Sequence, residues 1–447
     1  MMRERWGIVG GGILGMTLAQ RLAGAGQDVT IVEGAPNLGG LAAPWQLGEV
    51  TWDRHYHVTL YSDLALRDLL AELSLQDEVR WVTTQTGFYV GGKLYPFNDV
   101  VDFLRFPPLS LVEKARLGAT IVHASRVRDW RALEKLSALE WLERLSGRAT
   151  VDKIWHPLLR AKLGPNAEKA SAAFIWAIIA RMYAARRSGL KKELFGYVRG
   201  GYARVLERFA AQLELQGVRC ETDVAVERVV SDAEGTLRVE AGDNAYRFDR
   251  VVVTTAAPVA RRLCPQLTDR ERQLFDGVEY QGIVCASLLL DRPVSPYYVT
   301  NITDTWVPFT AVIEMSALVD RCAFGGKSLV YLPKYVASND PALQEPDDAL
   351  RELFVGGLER MYRNFDRRDI RALRISRVRY VLPISTIGYS DRLPPMHTSI
   401  PGLHVVNSAH ILNGTLNVNE TVTLANRAAR ELLRTPVRRA PVAMAVS

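Results

Sequence analysis

The sequence predicts an α/β fold whose core is a parallel βαβ unit at the N-terminus. Three observations predict it. Gly10, Gly12 and Gly15 stand at the spacing G-x-G-x-x-G between an apolar run and a segment of helical periodicity. A second apolar run closes on an acid, Glu33. Two more short apolar runs, of the type buried in parallel sheets, lie far down the chain at residues 250–255 and 402–407.

Residues 5–10 read as the first strand. Ile13–Gly24 reads as a helix because Leu14, Leu18 and Leu22 recur every four residues, with Ala19 and Ala23 beside them. Residues 28–33 form the second strand. From about 109 to 187 the pattern is mostly helical, with clear helices expected at 133–145 and 174–187. Phe106-Pro107-Pro108 punctuates the entry, and Pro157 is expected to break helix near the middle. Gly200-Gly201 opens a helix running to about Gln216. Strands follow at 219–224, 227–230, 237–241, 246–248 and 250–255. Residues 281–335 alternate like an antiparallel sheet, 348–364 read as helix, and the chain closes with strand 402–407 and a helix from about 419 to 433. Residues 436–447 have few apolar anchors and read as a frayed tail.

Composition narrows the function classes. Of 447 residues, 48% are hydrophobic and 23% charged, as in ordinary globular chains. No apolar run reaches the roughly 18–20 residues of a membrane span, and the N-terminus lacks a signal-peptide pattern. Cys220, Cys264, Cys285 and Cys322 are isolated, so neither a metal site nor a disulfide framework is expected, and a cytoplasmic location follows as an expectation. The net charge of +7 comes from scattered basic residues without a nucleic-acid-binding module, so no nucleic-acid partner is expected. The sequence does not set the oligomeric state.

The glycine motif has a specific physical use. The first glycine makes the tight turn, the second lets a backbone approach a pyrophosphate, and the third lets helix and strand pack closely. The helix N-terminus then offers free N–H groups and positive dipole to the phosphates. A carboxylate at Glu33 suits ribose hydroxyls and argues against a 2′-phosphate. A dinucleotide without that phosphate is therefore expected, and a structural glycine turn is the alternative.

Beyond Glu33, after five residues, stands Gly39-Gly40. This E-x5-GG extension resembles the N-terminus of the FAD-dependent amine oxidase superfamily, which includes protoporphyrinogen oxidases, phytoene-desaturase-like enzymes and UDP-galactopyranose mutases. Leu41 stands where many members carry Arg. Tyr197-Val-Arg-Gly-Gly201, Glu221-Thr-Asp-Val224, Phe248-Asp-Arg-Val-Val-Val-Thr-Thr-Ala256, Gly402-Leu-His-Val-Val-Asn407 and Asn417-Val-Asn-Glu-Thr-Val422 resemble later segments of the same superfamily. The resemblance implies a Rossmann-type FAD-binding domain built from discontinuous segments, with an inserted substrate domain of mixed sheet plus helices. The expected division is 1–100, 196–262 and 391–435 for FAD, 101–195 for a helical cap and 263–390 for the substrate sheet.

The resemblance assigns noncovalent FAD contact to Gly10, Gly12, Ile13, Leu14, Gly15, Glu33, Gly34, Gly39, Gly40, Leu41, His57, Val224, Thr254, Ala256, Asn407, Ser408, Asn417, Val418 and Asn419. The Val418 N–H is nominated for the flavin C2=O. In Trp52-Asp-Arg-His-Tyr-His57, the stretch expected along the flavin, His57 is the candidate acid/base and His55 a substrate contact. Lys162 and Tyr389 are further substrate candidates. Tyr297, Tyr298 and Trp306 are expected either to wall the site or to fill core. Arg181, Arg186 and Arg187 face either an anion or solvent.

The implied activity is that of an FAD-dependent oxidoreductase taking a hydride from a C–H or C–N bond of a small to medium, largely apolar substrate. Oxygen or another electron acceptor would reoxidise the flavin. The alternatives are a non-redox mutase resembling UDP-galactopyranose mutase, a catalytically inactive flavin-binding scaffold and an NAD dehydrogenase. Residues 110–125 are basic and partly amphipathic, which fits either peripheral membrane contact or packing on the protein's own core.

Overall fold

Arg5–Val9 is the central strand of a five-stranded, wholly parallel sheet. Its order is Arg219–Glu221, Asp28–Val32, Arg5–Val9, Arg250–Val253 and Leu403–Val405. Three distant stretches of sequence thus meet in one sheet, as the resemblance implied. The computed structural model describes residues 3–187, 194–412 and 414–435. The expected tail at 436–447 and residue 413 lie outside them.

The strands read as unbroken apolar runs because both faces of the sheet are covered. On one face Trp6, Ile8, Ile31 and Val252 pack with Leu18, Leu22, Phe209 and Leu432 of the helices Ile13–Gly24, Gly201–Leu215 and Val418–Arg434. On the other, Val9, Val251, Val253 and Leu403 pack with Val229, Leu237 and Val239 of a three-stranded antiparallel sheet and with the helix Ala257–Leu263.

A seven-stranded sheet forms the second layer system. Its order is Ile370–Pro383, Tyr280–Leu290, Ser328–Ala337, Ala311–Glu314, Val299–Ile302, Thr86–Val90 and Lys93–Pro96. All neighbours are antiparallel except Val299–Ile302 with Thr86–Val90. The hairpin at 86–96 therefore sits on the seven-stranded sheet, although its place in the sequence put it with the expected first FAD segment. Tyr280–Leu290 does not alternate in burial; every residue is buried, because the strand is central and covered on both faces. The long strand Ile370–Pro383, inside the stretch 263–390 expected to form sheet, is an edge strand carrying Arg371, Arg374, Arg377 and Arg379. Such charges protect an open edge from further pairing.

The helical layer contains Leu111–Arg126, Ala138–Ser146 and Ala172–Arg187. The first starts at a reciprocal cap between Ser110 and Glu113. The helix expected at 133–145 is divided: Trp130–Glu134 ends and Ser137 caps a new helix. Pro157 does not break helix. It is the second residue of His156–Leu163, which continues directly from the helical turn before it. The turn before it, Val151–Trp155, is widened to i→i+5 spacing, which relieves the clash of the proline ring with the preceding carbonyls.

Candidate functional site

The turn after the first strand brings two glycine pairs together. Gly10 has φ +109° and donates its N–H to Val32 O at 2.9 Å. Thr254 Oγ1 reaches Val9 O at 3.0 Å and Gly10 O at 3.1 Å, tying the turn to the middle segment. Gly39 N–H donates to Gly11 O at 2.8 Å, which sets Gly39-Gly40 against the loop. The helix Ile13–Gly24 starts at Gly12 with no side-chain cap, so its first N–H groups are left for a ligand. A Cβ on Gly15 would lie 2.0 Å from Gly10 O, whereas one on Gly12 would meet nothing nearer than Gly40 Cα at 3.8 Å.

Gly10, Gly12, Ile13, Leu14, Gly39, Gly40, Leu41, Thr254, Ala256, Ser408, Asn417 and Val418 all line one cavity of about 510 Å³. That volume is in the range of small-molecule and cofactor sites. Asn417 caps Val418–Arg434 by accepting the Glu420 N–H at 3.0 Å, and so presents the N-terminus of that helix to the cavity.

Other expected cofactor residues stand outside the lining. Gly15 is buried in helix–strand packing. Glu33 accepts N–H groups from Gly11 at 2.5 Å and Ala35 at 2.8 Å, and its carbonyl accepts from Val224 at 2.9 Å. Gly34 is exposed beside it, against Ala225. Asn407 bridges Thr255 O at 3.0 Å and the Ala409 N–H at 3.1 Å. Asn419 accepts the Leu66 N–H at 3.2 Å, fastening the closing helix to Leu64–Glu72.

The rest of the cavity comes from the seven-stranded sheet, the helical layer and residues 55–58. His55 and His57 both line it. His55 is buried and neither ring nitrogen has a hydrogen-bond partner among the described residues. Burial, with Arg54 and His57 nearby, pushes its pKa down to about 3, so its imidazole is neutral near pH 7. Arg54 is occupied elsewhere, donating to Gly40 O at 2.8 Å. His57 Nδ1 lies 3.7 Å from Asp53 Oδ2, and its ring is 4.7 Å from that of Tyr202. Asp53 is held in place by accepting the Tyr202 N–H at 2.7 Å.

Lys162, on His156–Leu163, and Arg181, on Ala172–Arg187, reach the same cavity. Lys162 Nζ lies 5.7 Å over the Tyr335 ring, and the Tyr335 hydroxyl is 3.1 Å from that of Tyr56. Arg181 is paired with Asp63 at 2.9 Å. The side chains of Arg186 and Arg187 lie outside the described residues.

Tyr389 is a correction. It is buried in the core under the parallel sheet, where its hydroxyl donates to Ala409 O at 2.9 Å. Tyr297, Tyr298 and Trp306 are absent from the lining as well; Tyr298 is core, and Trp306 lies under Arg360. The aromatic wall is made instead by Tyr56, Tyr335 and Tyr380. Tyr56 stood in a stretch already singled out, but nothing in the sequence told which strand face of Tyr335 or Tyr380 would meet a cavity.

The family model described as flavin containing amine oxidoreductase matches residues 15–433. A zeta-carotene desaturase of Synechococcus elongatus is 23% identical over 330 residues, 60% of this chain and 68% of that protein. Two crystal structures share the fold. One, assigned as a protoporphyrinogen oxidase from Exiguobacterium sp. 255-15, has TM-score 0.77 and 21% identity and covers 97% of this chain and 100% of that one. Reduced UDP-galactopyranose mutase has TM-score 0.72 and 14% identity, covering 97% and 94%.

Proposed function

Since the chain belongs to the flavin containing amine oxidoreductase family and is an FAD-dependent oxidoreductase, we propose that it takes a hydride from a C–H or C–N bond of a small to medium, largely apolar substrate. The observation that carries this reading is the single cavity that joins the glycine loop, the start of the closing helix and an apolar and aromatic wall. FAD, when bound, supplies the two-electron acceptor.

The residues present fit that group. Gly12 leaves room where a pyrophosphate would approach, and the uncapped helix behind it supplies N–H groups and positive dipole. Each Glu33 oxygen keeps a lone pair for a ribose hydroxyl. Val418 heads a helix whose positive end favours negative charge in the cavity. None of the four cysteines lines the cavity, which supports noncovalent binding.

His57 is the proposed proton carrier, because it lines the cavity with its Nδ1 3.7 Å from Asp53 Oδ2. His55, kept neutral by burial, contributes shape and one donor. Ile283, Val381, Ile411 and Leu416 exclude water from the reacting carbon. We assign the electrons to oxygen or another electron acceptor. The division into three FAD segments, a helical cap and a substrate sheet is retained, with residues 86–96 reassigned to the sheet.

The test is a visible spectrum of the purified protein followed by anaerobic mixing with a metabolite panel. A flavin band that bleaches with one metabolite is expected. Sugar-nucleotide isomerisation by pre-reduced enzyme, without bleaching, would replace this reading by the mutase. A flavin band that no metabolite reduces would leave the binding scaffold.

Peripheral contact with an anionic lipid surface belongs to the same proposal. Val100, Val101, Leu104, Leu111 and Val112 are 51–76% exposed around exposed Arg105 and Arg116. Flotation with anionic vesicles measures it.

A further inference from the structure

The cavity is electrostatically one-sided. Two cations, Lys162 and Arg181, line it, and no Asp or Glu does. The two are not equivalent. Arg181 donates to both oxygens of buried Asp63, at 2.9 and 3.1 Å, so its charge is answered. Among the described residues, Lys162 has no carboxylate within ion-pairing distance, and the one charged side chain that shifts it is Arg181. Its ammonium lies 5.7 Å from the centroid of the Tyr335 ring, a weak substitute for an anion. Burial and the nearby Arg181 charge hold its pKa below the usual lysine range, as expected of an ammonium that lacks its counter-charge.

The hydroxyl pair beside it points the same way. Tyr56 and Tyr335 share one hydrogen bond of 3.1 Å, which uses one of their two hydroxyl hydrogens. The second hydrogen remains for a ligand acceptor. A cation and a free O–H donor thus stand together, while Ile283, Val381 and Leu416 line the same space with apolar surface. A protonated amine would meet the Lys162 ammonium and no Asp or Glu in the lining, so it is disfavoured on Coulombic grounds.

We infer that the substrate has an oxyanionic head, a carboxylate or phosphate monoester, on an apolar body, with the head seated on Lys162 and the Tyr56–Tyr335 hydroxyl pair. The inference rests on the reading of this cavity as the substrate chamber of a flavoenzyme. It narrows that reading from largely apolar compounds to anionic amphiphiles. A carboxylate and a phosphate monoester satisfy the same donors, and the test separates them.

The test uses calorimetric titration of the FAD-loaded protein with four probes of equal chain length: decanoate, decyl phosphate, decanol and decylamine. One or both anions should bind more tightly than decanol, and decylamine should bind least. The tighter anion identifies the head group. Lys162→Met should weaken anion binding about tenfold or more, the worth of one charge-assisted contact. Lys162→Arg should recover most of it. Both variants should keep the parent's flavin content and visible spectrum. Equal or tighter binding of decylamine overturns the inference, as does unchanged decanoate and decyl phosphate affinity in Lys162→Met. Loss of FAD from Lys162→Met also overturns it, since Lys162 would then serve the cofactor. Failure of the oxidoreductase reading looks different: the anions still bind through Lys162, but no metabolite bleaches the flavin.

Discussion

Gly12 and Gly15 belong to one motif but do different work. Gly15 is structural: any side chain there collides with Gly10 O. Gly12 has φ −71° and ψ 176°, extended backbone that every residue adopts, and a Cβ there would make only an ordinary contact with Gly40 Cα at 3.8 Å. The fold does not require glycine at that position; the proposed approach of the pyrophosphate would. Gly12→Val should therefore fold with a melting temperature near that of the parent and lose most of its flavin, read as the ratio of flavin to protein absorbance. Full flavin content in that variant would refute the cradle. The motif was legible from spacing alone. The separate roles of its glycines were not, because they depend on which atoms the folded loop brings opposite each Cα.

Among the elements, Leu111–Arg126 shows how far periodicity carries. Its start was readable, since Ser110 and Glu113 form a capping box. Its relation to solvent was not: Leu117, Thr120 and Ala124 are buried, while Leu111 and Val112 are 76% and 64% exposed. If that exposed end meets lipid, a Leu111→Glu, Val112→Glu double variant should stop floating with anionic vesicles while melting as the parent does. Parent-like flotation of the double variant would remove the membrane reading. Pro157 teaches a related lesson. A proline in a helical pattern predicts a break, yet the five-residue turn before it absorbs the steric demand and the helix continues.

At the scale of the whole molecule, Arg250 joins the three segments of the parallel sheet. It lies on the middle segment, is 4% exposed, pairs with Glu4 at 2.9 Å and donates to Leu432 O at 3.0 Å and Thr435 O at 2.7 Å. These are carbonyls at the C-terminal end of the last helix, where a cation also complements the dipole. Arg250→Met should cost about 2–3 kcal/mol, since it strands acceptors that are largely removed from water. A denaturant midpoint that does not move would contradict this role.

Acid sensitivity is also a property of the assembled molecule. Burial pushes His55 and His404 down to about 3 and His410 to about 4. In the unfolded chain each titrates near about 6.5. Between those values the unfolded state binds more protons, so stability falls as pH drops below about 6.5, by up to about 1.4 kcal/mol per pH unit for each histidine. Glu314, raised to about 7 by burial, opposes the trend with a single proton of opposite sign. The melting temperature should therefore decrease from pH 6.5 to 5, and His404→Phe should flatten that slope by about one proton. An unaltered slope would show that His404 titrates normally.

By itself, the sequence determined the nucleotide loop, the strand and helix types of the parallel sheet and, through its resemblances, the flavin family. These depend on local spacing and on apolar runs that only a sheet covered on both faces can bury. The tertiary structure alone decided that Tyr335 rather than Tyr389 walls the cavity. It also placed the 86–96 hairpin on the far sheet and, among the described residues, left Lys162 without a carboxylate partner while Arg181 has one. The physical reason is that pairing, burial and charge compensation are relations between residues brought together by the fold, and spacing along the chain does not encode which partners will meet.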